Sequence, residues 1–187
     1  MKSEKGFIVK LGLILFLISA ICVFALALCN SLTKDKIAAI NQKKEDDAKK
    51  SVLSSAETFK EADYKNDDGT VIFIGEKDGE KVGYCARVTS KGFGGDIDMM
   101  VGLDSDFAIS GINMSETPGL GSRASDEKFI KQYDNLKGLD GEIDVIKSGT
   151  PEGNEIVAIS GATVTSKAVT RGVNAAVSAV KEMEGIQ

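Results

Sequence analysis

A run of 19 residues without a charged side chain, from Leu11 to Cys29, restricts this chain more than any other feature. Three further apolar residues, 7–9, extend the run across Lys10, whose long side chain can reach the membrane interface. A helix of about 20 apolar residues is long enough to cross the ~30 Å hydrocarbon core of a bilayer. The sequence therefore predicts an N-terminal transmembrane anchor over residues 1–30, in contact with the lipid bilayer through residues 7–29.

Two other interpretations of the apolar run stay open. Ala25-Leu26-Ala27 resembles the cleavage site of a secretory signal peptide, although the apolar part of a signal peptide is usually about 7–15 residues long. Cys29 is a candidate for lipidation, although Leu28 is larger than the residue that normally precedes a lipidated cysteine. Charge does not decide the orientation, because lysines stand on both sides of the run. They are Lys2, Lys5 and Lys10 before it, and Lys34, Lys36, Lys43 and Lys44 after it.

The residues that are missing limit the chemistry of this chain. It has no histidine, which excludes Ser-His-Asp catalysis, His-ligated zinc and haem with an axial histidine. The three cysteines, Cys22, Cys29 and Cys85, form no CxxC pair or cluster, so an iron–sulfur centre is not expected. Cys85 is predicted to be a small buried apolar residue. No metal ligand and no catalytic side chain is assigned, so redox chemistry must come from a cofactor or a partner.

The charge balance excludes one class of partner. The net charge is −5, and residues 1–29 carry +2, so the remainder of the chain carries −7. Binding of nucleic-acid phosphates requires clustered lysine and arginine. A nucleic-acid partner is therefore not expected.

The rest of the chain predicts one α+β domain. Residues 31–65, polar and rich in Ala, Lys and Glu, are predicted to form a connecting helix, either a solvated spacer or packed on the edge of the domain formed by residues 66–187. Within that domain, Lys77-Asp78-Gly79 indicates a hairpin turn between two strand-like runs. Antiparallel strands with segregated helices are typical of the α+β class. The predicted strands cover 71–75, 81–89, 97–103, 107–113 and 142–147, and a short helix covers 125–132.

The C-terminal element is the clearest. Apolar residues recur at three- and four-residue spacing from Val164 to Val180, which predicts an amphipathic helix that ends near Glu182 and packs on the sheet. A strand-like run, residues 155–159, leads into this helix through Ser160-Gly161-Ala162-Thr163.

The segment 160–163 allows two interpretations. In the first, a Ser or Thr side chain caps the helix, and Gly161 allows a tight turn. In the second, the free backbone N–H groups and the positive end of the helix dipole bind an anionic group. Gly161 and Ala162 leave room for such a group, and Thr163 offers it a hydroxyl.

The same segment, followed by Val164-Thr165-Ser166, resembles the flavinylation motif of the FMN-binding domains in bacterial Rnf and Na⁺-translocating NADH:quinone reductase complexes. In that family a flavin transferase joins FMN through a phosphoester to the threonine of Ser-Gly-Ala-Thr. The resemblance implies covalent FMN on Thr163, with Thr165 as the fallback acceptor. It also implies that Ser160, Gly161 and Ala162 lie beside the phosphate.

Two further segments share this resemblance. Gly92-Phe93-Gly94-Gly95 is similar to the Gly-Tyr-Gly-Gly strand entrance of the family, with Phe93 in place of tyrosine. Val157 stands where the family pattern has aspartate, three residues before the serine. A second loop is similar to the one that packs beside the flavin in these domains. Its residues are Glu116, Thr117, Pro118, Gly119, Leu120 and Gly121.

The length of the chain favours the family of Rnf G subunits over the longer C subunit of the quinone reductase. The resemblance then implies an electron-carrier role in a membrane-bound, ion-translocating ferredoxin:NAD oxidoreductase complex. Its partners would be the other membrane and peripheral subunits and the flavin transferase. The implied location is the bacterial inner membrane, single-pass, with the soluble domain on the extracytoplasmic side. No GxGxxG fingerprint is present, so the chain itself is not expected to bind a pyridine nucleotide.

Two rival functions remain open from the sequence. The same flavin domain is compatible with a redox sensor that signals through the anchor, although only ten residues precede the apolar run. A flavin-free anchored domain that binds a partner or a polymer is the other rival. Covalent flavin and co-purifying membrane subunits distinguish these two functions from that of an electron carrier.

Overall fold

The structure of the chain, a computed structural model, describes residues 2–64, 66, 68–114, 127–134, 136–138 and 141–186. It divides into two compact units, Met1–Glu45 and Asp46–Gln187. Helix α1 spans Lys2–Val52. The elements after it are strands β1 (Thr58–Glu61), β2 (Val71–Lys77), β3 (Glu80–Lys91), β4 (Asp96–Asp104) and β5 (Ile109–Met114), helix α2 (Glu127–Ile130) with a 3₁₀ turn (Lys131–Tyr133), strands β6 (Asp144–Ile146) and β7 (Glu155–Val157), and helix α3 (Thr163–Glu184).

The first unit is the helical segment that the apolar run predicts. Among the described residues, one helix is long and apolar enough to cross a membrane; an 18-residue window of it has a mean hydropathy of 2.9, and none of that window is buried. Its leucine, isoleucine and phenylalanine side chains are exposed from Leu11 to Leu32. A continuous apolar surface of this length suits a lipid environment, which agrees with the predicted anchor.

The larger sheet is an antiparallel meander in the order β1-β2-β3-β4-β5. Asp78 and Gly79 join β2 to β3 with φ angles of 52° and 83°, and Lys77 pairs directly with Glu80. Two positive φ angles match the twist of the flanking strands, as in type I′ hairpins. The hairpin expected at Lys77-Asp78-Gly79 is therefore confirmed. The predicted strands 97–103 and 107–113 correspond to β4 and β5, which pair with each other.

One face of this sheet packs against α3 at close range. A Cβ atom added at Gly172 would lie 2.7 Å from Met99 Sδ and 3.3 Å from Ser90 Cβ, so any larger residue would require the Met99 side chain to move. The buried Ser90 hydroxyl donates to the carbonyl of Ala168 at 2.7 Å. The core between helix and sheet includes Ile72, Tyr84, Ala86, Val88, Ile97, Met99, Val101, Leu103, Val169, Val173, Ala176 and Val180. This packing sets the position of α3 and therefore of its first residue.

The opposite face of the sheet packs against the end of α1 and the residues after it. Gly75 and Gly102 each pair with another glycine across the ladder, which leaves this face without side chains at four neighbouring positions. A Cβ at Gly102 would lie 2.3 Å from the Val52 carbonyl oxygen, and one at Gly75 would lie 2.5 Å from Leu53 Cδ2. Ser110 Oγ donates to the same Val52 carbonyl at 2.5 Å. Val52 and Leu53 are 2% and 1% exposed.

The residues expected to form a connecting helix, 31–65, are divided differently in the structure. Helix α1 continues to Val52, and β1 is part of the sheet, where Phe59 pairs with Gly75. The second compact unit begins at Asp46 rather than at 66. The reason is the burial of Leu53 and Ala56 on the face of the sheet that carries Gly75, Gly83, Gly102 and Gly111, called the glycine face below. This burial joins the segment to the core of the domain.

A second, smaller sheet is built from β6 and β7. Its strands are parallel, with Val145 opposite Ile156, and so depart from the antiparallel pairing expected for the domain. The side-chain amide of Asn174 on α3 donates to the Ile143 carbonyl and accepts from the Ile143 N–H, both at 3.0 Å. Helix α3 thereby holds the chain just before β6.

Cys85 is buried as expected, with no exposed surface, in the cluster between the glycine face and the end of α1. Its thiol contacts the Lys49 carbonyl at 3.8 Å. Burial raises the pKa of Cys85 to about 12, and the charge of Lys49 opposes this rise only in part. Because the thiolate is the reactive form, we expect Cys85 to resist a water-soluble maleimide at about pH 8 until the protein is denatured. Peptide mass spectrometry measures this, and rapid labelling of Cys85 in the native protein would contradict it.

Candidate functional site

The segment 159–162 forms a tight turn that delivers the chain into α3. Its N–H at Ala162 donates to the carbonyl of Ile159 at 2.9 Å, which closes the turn. Gly161 has a φ of 77°, a backbone conformation that residues with a side chain rarely adopt. Glycine at the third position of such a turn is the residue expected for type II geometry. The sequence prediction of a glycine-dependent turn at Gly161 is confirmed.

The N-terminus of α3 has no side-chain cap. The N-cap residue is Ala162, with φ −131° and ψ 38°, and no side chain accepts a capping hydrogen bond there among the described residues. The interpretation in which a serine or threonine caps this helix is therefore wrong. The first backbone N–H groups of a helix have no acceptor within the helix itself. The first turn of α3 thus presents donors and the positive end of the helix dipole without a side chain of its own to neutralise them.

Ser166 organises the turn from inside the helix. Its Oγ accepts from the N–H of Ile159 at 3.0 Å and donates to the carbonyl of Ala162 at 3.1 Å. The side chain is fully buried. Both ends of the turn are therefore bound to one hydroxyl, which lies one helical turn after Thr163.

The two candidate threonines differ in exposure. Thr163 is half-buried, and the neighbouring Ser160 and Gly161 are exposed, so the first threonine lies at a surface. Thr165 is only 6% exposed, so it lies within the packed side of the helix. The arrangement brings Ser160, Gly161, Ala162 and Thr163 together around one open helix end, and it favours Thr163 over Thr165 as the group that an external molecule can reach.

Thr163 lies at the end of the sheet that carries the glycine-rich hairpin tip. Ser90, near the end of β3, contacts Ala168 near the start of α3, whereas Lys81 at the start of β3 forms an ion pair with Glu184 at the end of α3. Helix and strand therefore run in opposite directions. The N-terminus of α3 lies at the same end as the turn 92–95, in which Phe93 is 80% exposed.

Two basic residues follow Thr163 at helical spacing. Lys167 and Arg171 lie four and eight residues after it, which places all three on one side of α3. Lys167 is exposed, and Arg171 donates to the carbonyl of Lys91 at 2.7 Å. The domain is acidic overall, yet this side of the helix adds positive charge to the positive end of the dipole. An anionic group such as a phosphate is favoured there.

The strand before the turn is held by a side-chain amide. Gln132 Nε2 donates to the Val157 carbonyl at 3.2 Å, and the Val157 N–H donates to Gln132 Oε1 at 2.8 Å. Gln132 belongs to the 3₁₀ turn, and the adjacent Tyr133 is fully buried and bonded to Thr170 of α3 at 2.7 Å. Burial raises the pKa of Tyr133, so its hydroxyl stays protonated.

Sequence reasoning assigned no role to three residues that shape this site: Gln132, Ser166 and Lys167. The four-residue spacing of Lys167 from Thr163 was visible in the sequence, but the partners of Gln132 and Ser166 depend on the folded chain.

The second predicted loop, Glu116 to Gly121, lies outside the described residues. The last described residue before it, Met114, pairs with Met99 near the start of β4, at the same end of the sheet as the turn 92–95.

Comparison with known families matches both parts of the chain. The sequence model of the FMN-binding domain matches residues 92–178, a range that starts at the glycine-rich tip and ends within α3. The model of the RnfG N-terminal region matches residues 1–52, which end where α1 ends.

Similar proteins cover almost the whole chain. The G subunit of the Na(+)-translocating ferredoxin:NAD(+) oxidoreductase complex of Acetobacterium woodii is 38% identical over 183 residues, which are 88% of this chain and 87% of that protein. The G subunit of the ion-translocating oxidoreductase complex of Methanosarcina acetivorans is 31% identical over 193 residues, covering 98% of this chain and 100% of that protein.

A solved structure has a similar domain. The crystal structure of the C subunit of the Na(+)-translocating NADH-quinone reductase from Parabacteroides distasonis aligns with a TM-score of 0.51 and 28% sequence identity. The alignment covers 63% of this chain and 64% of that protein, so the chain spans less than two thirds of its length.

Proposed function

This chain belongs to the family of G subunits of ion-translocating ferredoxin:NAD(+) oxidoreductase complexes, and on that basis we propose that it relays electrons through FMN bound covalently to Thr163. It is a membrane-anchored electron-carrier subunit with an FMN-binding domain. The proposal adds the covalent bond, its acceptor residue and the side of the membrane.

The observation that carries the proposal is the open N-terminus of α3. A threonine at a surface there stands beside backbone donors, the helix dipole and Lys167, which together favour an attached phosphate. A phosphoester keeps its negative charge, so the bond to Thr163 Oγ1 would leave an anion where the helix end favours one. Thr165, 6% exposed, is much less accessible to a modifying enzyme.

Bound FMN supplies the redox chemistry, since flavins exchange one or two electrons. The residues of this chain have other tasks. Thr163 attaches the cofactor, the backbone of 161–165 and Ser160 steady its phosphate, and Gly161 gives the turn the shape that exposes the threonine. The Glu116–Gly121 loop is proposed to shape one face near the flavin ring, as the family resemblance implies. No side chain of this chain is needed as an acid or a base.

Membership of the family supports the proposed partners and location. The other subunits of the complex would donate and accept the electrons. A flavin transferase would load FMN before assembly from a flavin dinucleotide: the phosphoanhydride bond of the donor would break as the bond from Thr163 Oγ1 to the FMN phosphorus forms, the nucleoside monophosphate would leave, and the threonine proton would pass to the transferase or to solvent. We place the domain on the extracytoplasmic side of the membrane. A covalent bond there prevents loss of the cofactor to the exterior. A cytoplasmic domain does not face this loss and therefore has less need of a covalent bond.

The test is direct. The full chain is co-expressed with a flavin transferase and separated on a denaturing gel, and we expect a fluorescent flavin band that survives denaturation. Mass spectrometry of the peptide that contains Thr163 and Thr165 is expected to locate the FMN on Thr163. A chain without fluorescence after co-expression with an active transferase would overturn the covalent assignment.

The redox-sensor alternative makes a different prediction. An electron carrier in a complex should purify in mild detergent together with several multi-span membrane proteins, whereas a sensor should not. Relatives named as parts of such complexes support the carrier. The match to the FMN-binding domain counts against the flavin-free alternative.

A further inference from the structure

We propose that Gln132 is a positioning residue that holds β7, the strand entering the turn 159–162, and thereby sets the rate at which Thr163 accepts flavin. This turn, which leads to Thr163, is called the acceptor turn below. The inference rests on the proposed function of Thr163 and adds a residue that the flavin motif does not contain. Its basis is the pair of hydrogen bonds, 2.8 and 3.2 Å long, between the Gln132 amide and both backbone groups of Val157.

The Gln132 amide takes the place of a missing strand. Strand β7 has three residues and pairs on one edge with β6, where the N–H of Ala158 donates to the Ile146 carbonyl at 2.8 Å. Backbone groups of successive strand residues point to opposite edges. Those of Val157 therefore point away from β6, and a carboxamide that donates and accepts satisfies both.

The amide is anchored to α3 through its neighbour. The Thr170 hydroxyl donates to the carbonyl of Ser166 at 2.9 Å, so the bond between Tyr133 and Thr170 uses the Tyr133 hydroxyl as donor. Ser166 is the residue whose Oγ binds both ends of the acceptor turn.

Together these contacts close a ring. On one side, hydrogen bonds connect Ser166 to Thr170 and Thr170 to Tyr133, which is next to Gln132 in the 3₁₀ turn. On the other side, Gln132 is bonded to Val157, and the chain continues from Val157 to Ile159, whose N–H is bonded to Ser166. Thr163 lies at the point where this ring meets the first turn of α3. Removal of the Gln132 amide opens the ring at the strand, so the turn keeps its bonds to Ser166 but is held less firmly by the strand that leads into it.

The chain contains a matched control for this contact. Asn174 binds the N–H and the carbonyl of Ile143 with the same amide chemistry, at 3.0 Å each. Ile143 precedes β6, and Asn174 lies eleven residues beyond Thr163 in α3, so this amide supports the fold away from the acceptor turn.

The experiment uses the full chain in detergent, purified without flavin, together with a flavin transferase and a flavin dinucleotide, the FMN donor that releases a nucleoside monophosphate as the phosphoester to Thr163 forms. Initial rates of covalent flavin incorporation are measured against the concentration of acceptor chain. We expect Gln132→Ala to lower the maximal rate on the order of tenfold, with a smaller change in the half-saturating concentration, because a misplaced group reacts slowly even when bound. Asn174→Ala is expected to load at close to the wild-type rate.

A pH profile separates positioning from a general loss of stability. In Gln132→Glu, the carboxylate still accepts from the Val157 N–H, but it faces the Val157 carbonyl without a proton to donate. Protonation restores the donor, so the loading rate relative to wild type is expected to rise as the pH falls towards the ordinary range of a glutamate carboxyl, about 4–5. Asn174→Asp, made in the same way, should show no such recovery.

The outcomes distinguish the two proposals. If the wild-type chain acquires no flavin on Thr163, the proposed function itself fails. If the wild type is loaded and both Gln132 variants load as fast as it does, only the positioning role is overturned. Equal losses in the Gln132 and Asn174 variants, without pH recovery in Gln132→Glu, would also overturn it, because they indicate a general effect on folding.

Discussion

Replacement of Thr163 with alanine is expected to abolish covalent flavin incorporation. The substitution removes the hydroxyl oxygen to which the proposed phosphoester is attached, while the helix keeps its N-cap at Ala162 and its internal hydrogen bonds. Alanine is also a good helix former, so the fold should be retained. In-gel flavin fluorescence after co-expression with the transferase measures the loss, and circular dichroism checks the fold.

Thr165→Ala provides the control for this experiment. Its side chain is 6% exposed and faces the packed side of the helix, so this variant should still carry flavin, apart from a modest loss of stability. An equally bright band from Thr163→Ala, or a dark one from Thr165→Ala alone, would transfer the attachment site to the second threonine.

Leu53→Ala is expected to destabilise the domain by about 2–5 kcal/mol, a large part of the ~5–15 kcal/mol that holds a typical domain folded. Leu53 is 1% exposed, and its methyl groups lie over Gly75 and Gly83, where the sheet has no side chains to refill the space. The melting temperature should fall on the order of 10 °C in a fragment that starts at Asp46.

Ile186→Ala is the comparison for Leu53→Ala. Ile186 is 36% exposed beyond the end of α3, so loss of its side chain should change the melting temperature little. Melting curves that coincide for the two variants would show that the residues after α1 are not part of the domain core.

The local features of this fold could be predicted because single segments determine them. The apolar run specifies a long exposed helix, Asp78-Gly79 specifies a hairpin, and the spacing of Val169 and Val173 specifies the buried face of α3. The turn at 159–162 could be predicted for the same reason, since a glycine just before a helix indicates a positive φ angle, and Gly161 has one.

The remaining features depend on contacts between distant segments. The glycine face that receives Leu53 leaves no hydrophobic pattern in the strands, because a glycine contributes no apolar side chain. A serine before a helix predicts a cap, but Ser160 does not provide one, and Ser166 organises the turn from within the helix instead. The amides of Gln132 and Asn174 gain their roles only from backbone groups 25 and 31 residues away.

The length of α3, which begins at Thr163 and ends at Glu184, has a practical use for spectroscopy. Helix α3 has 22 residues, so its two ends are separated by about 33 Å. A dye attached after Glu184 would therefore stand at a known, rigid separation from a flavin at Thr163, within the range of resonance energy transfer. Such a pair gives a molecular ruler whose reading changes when a neighbouring protein of the complex moves the flavin or bends the helix.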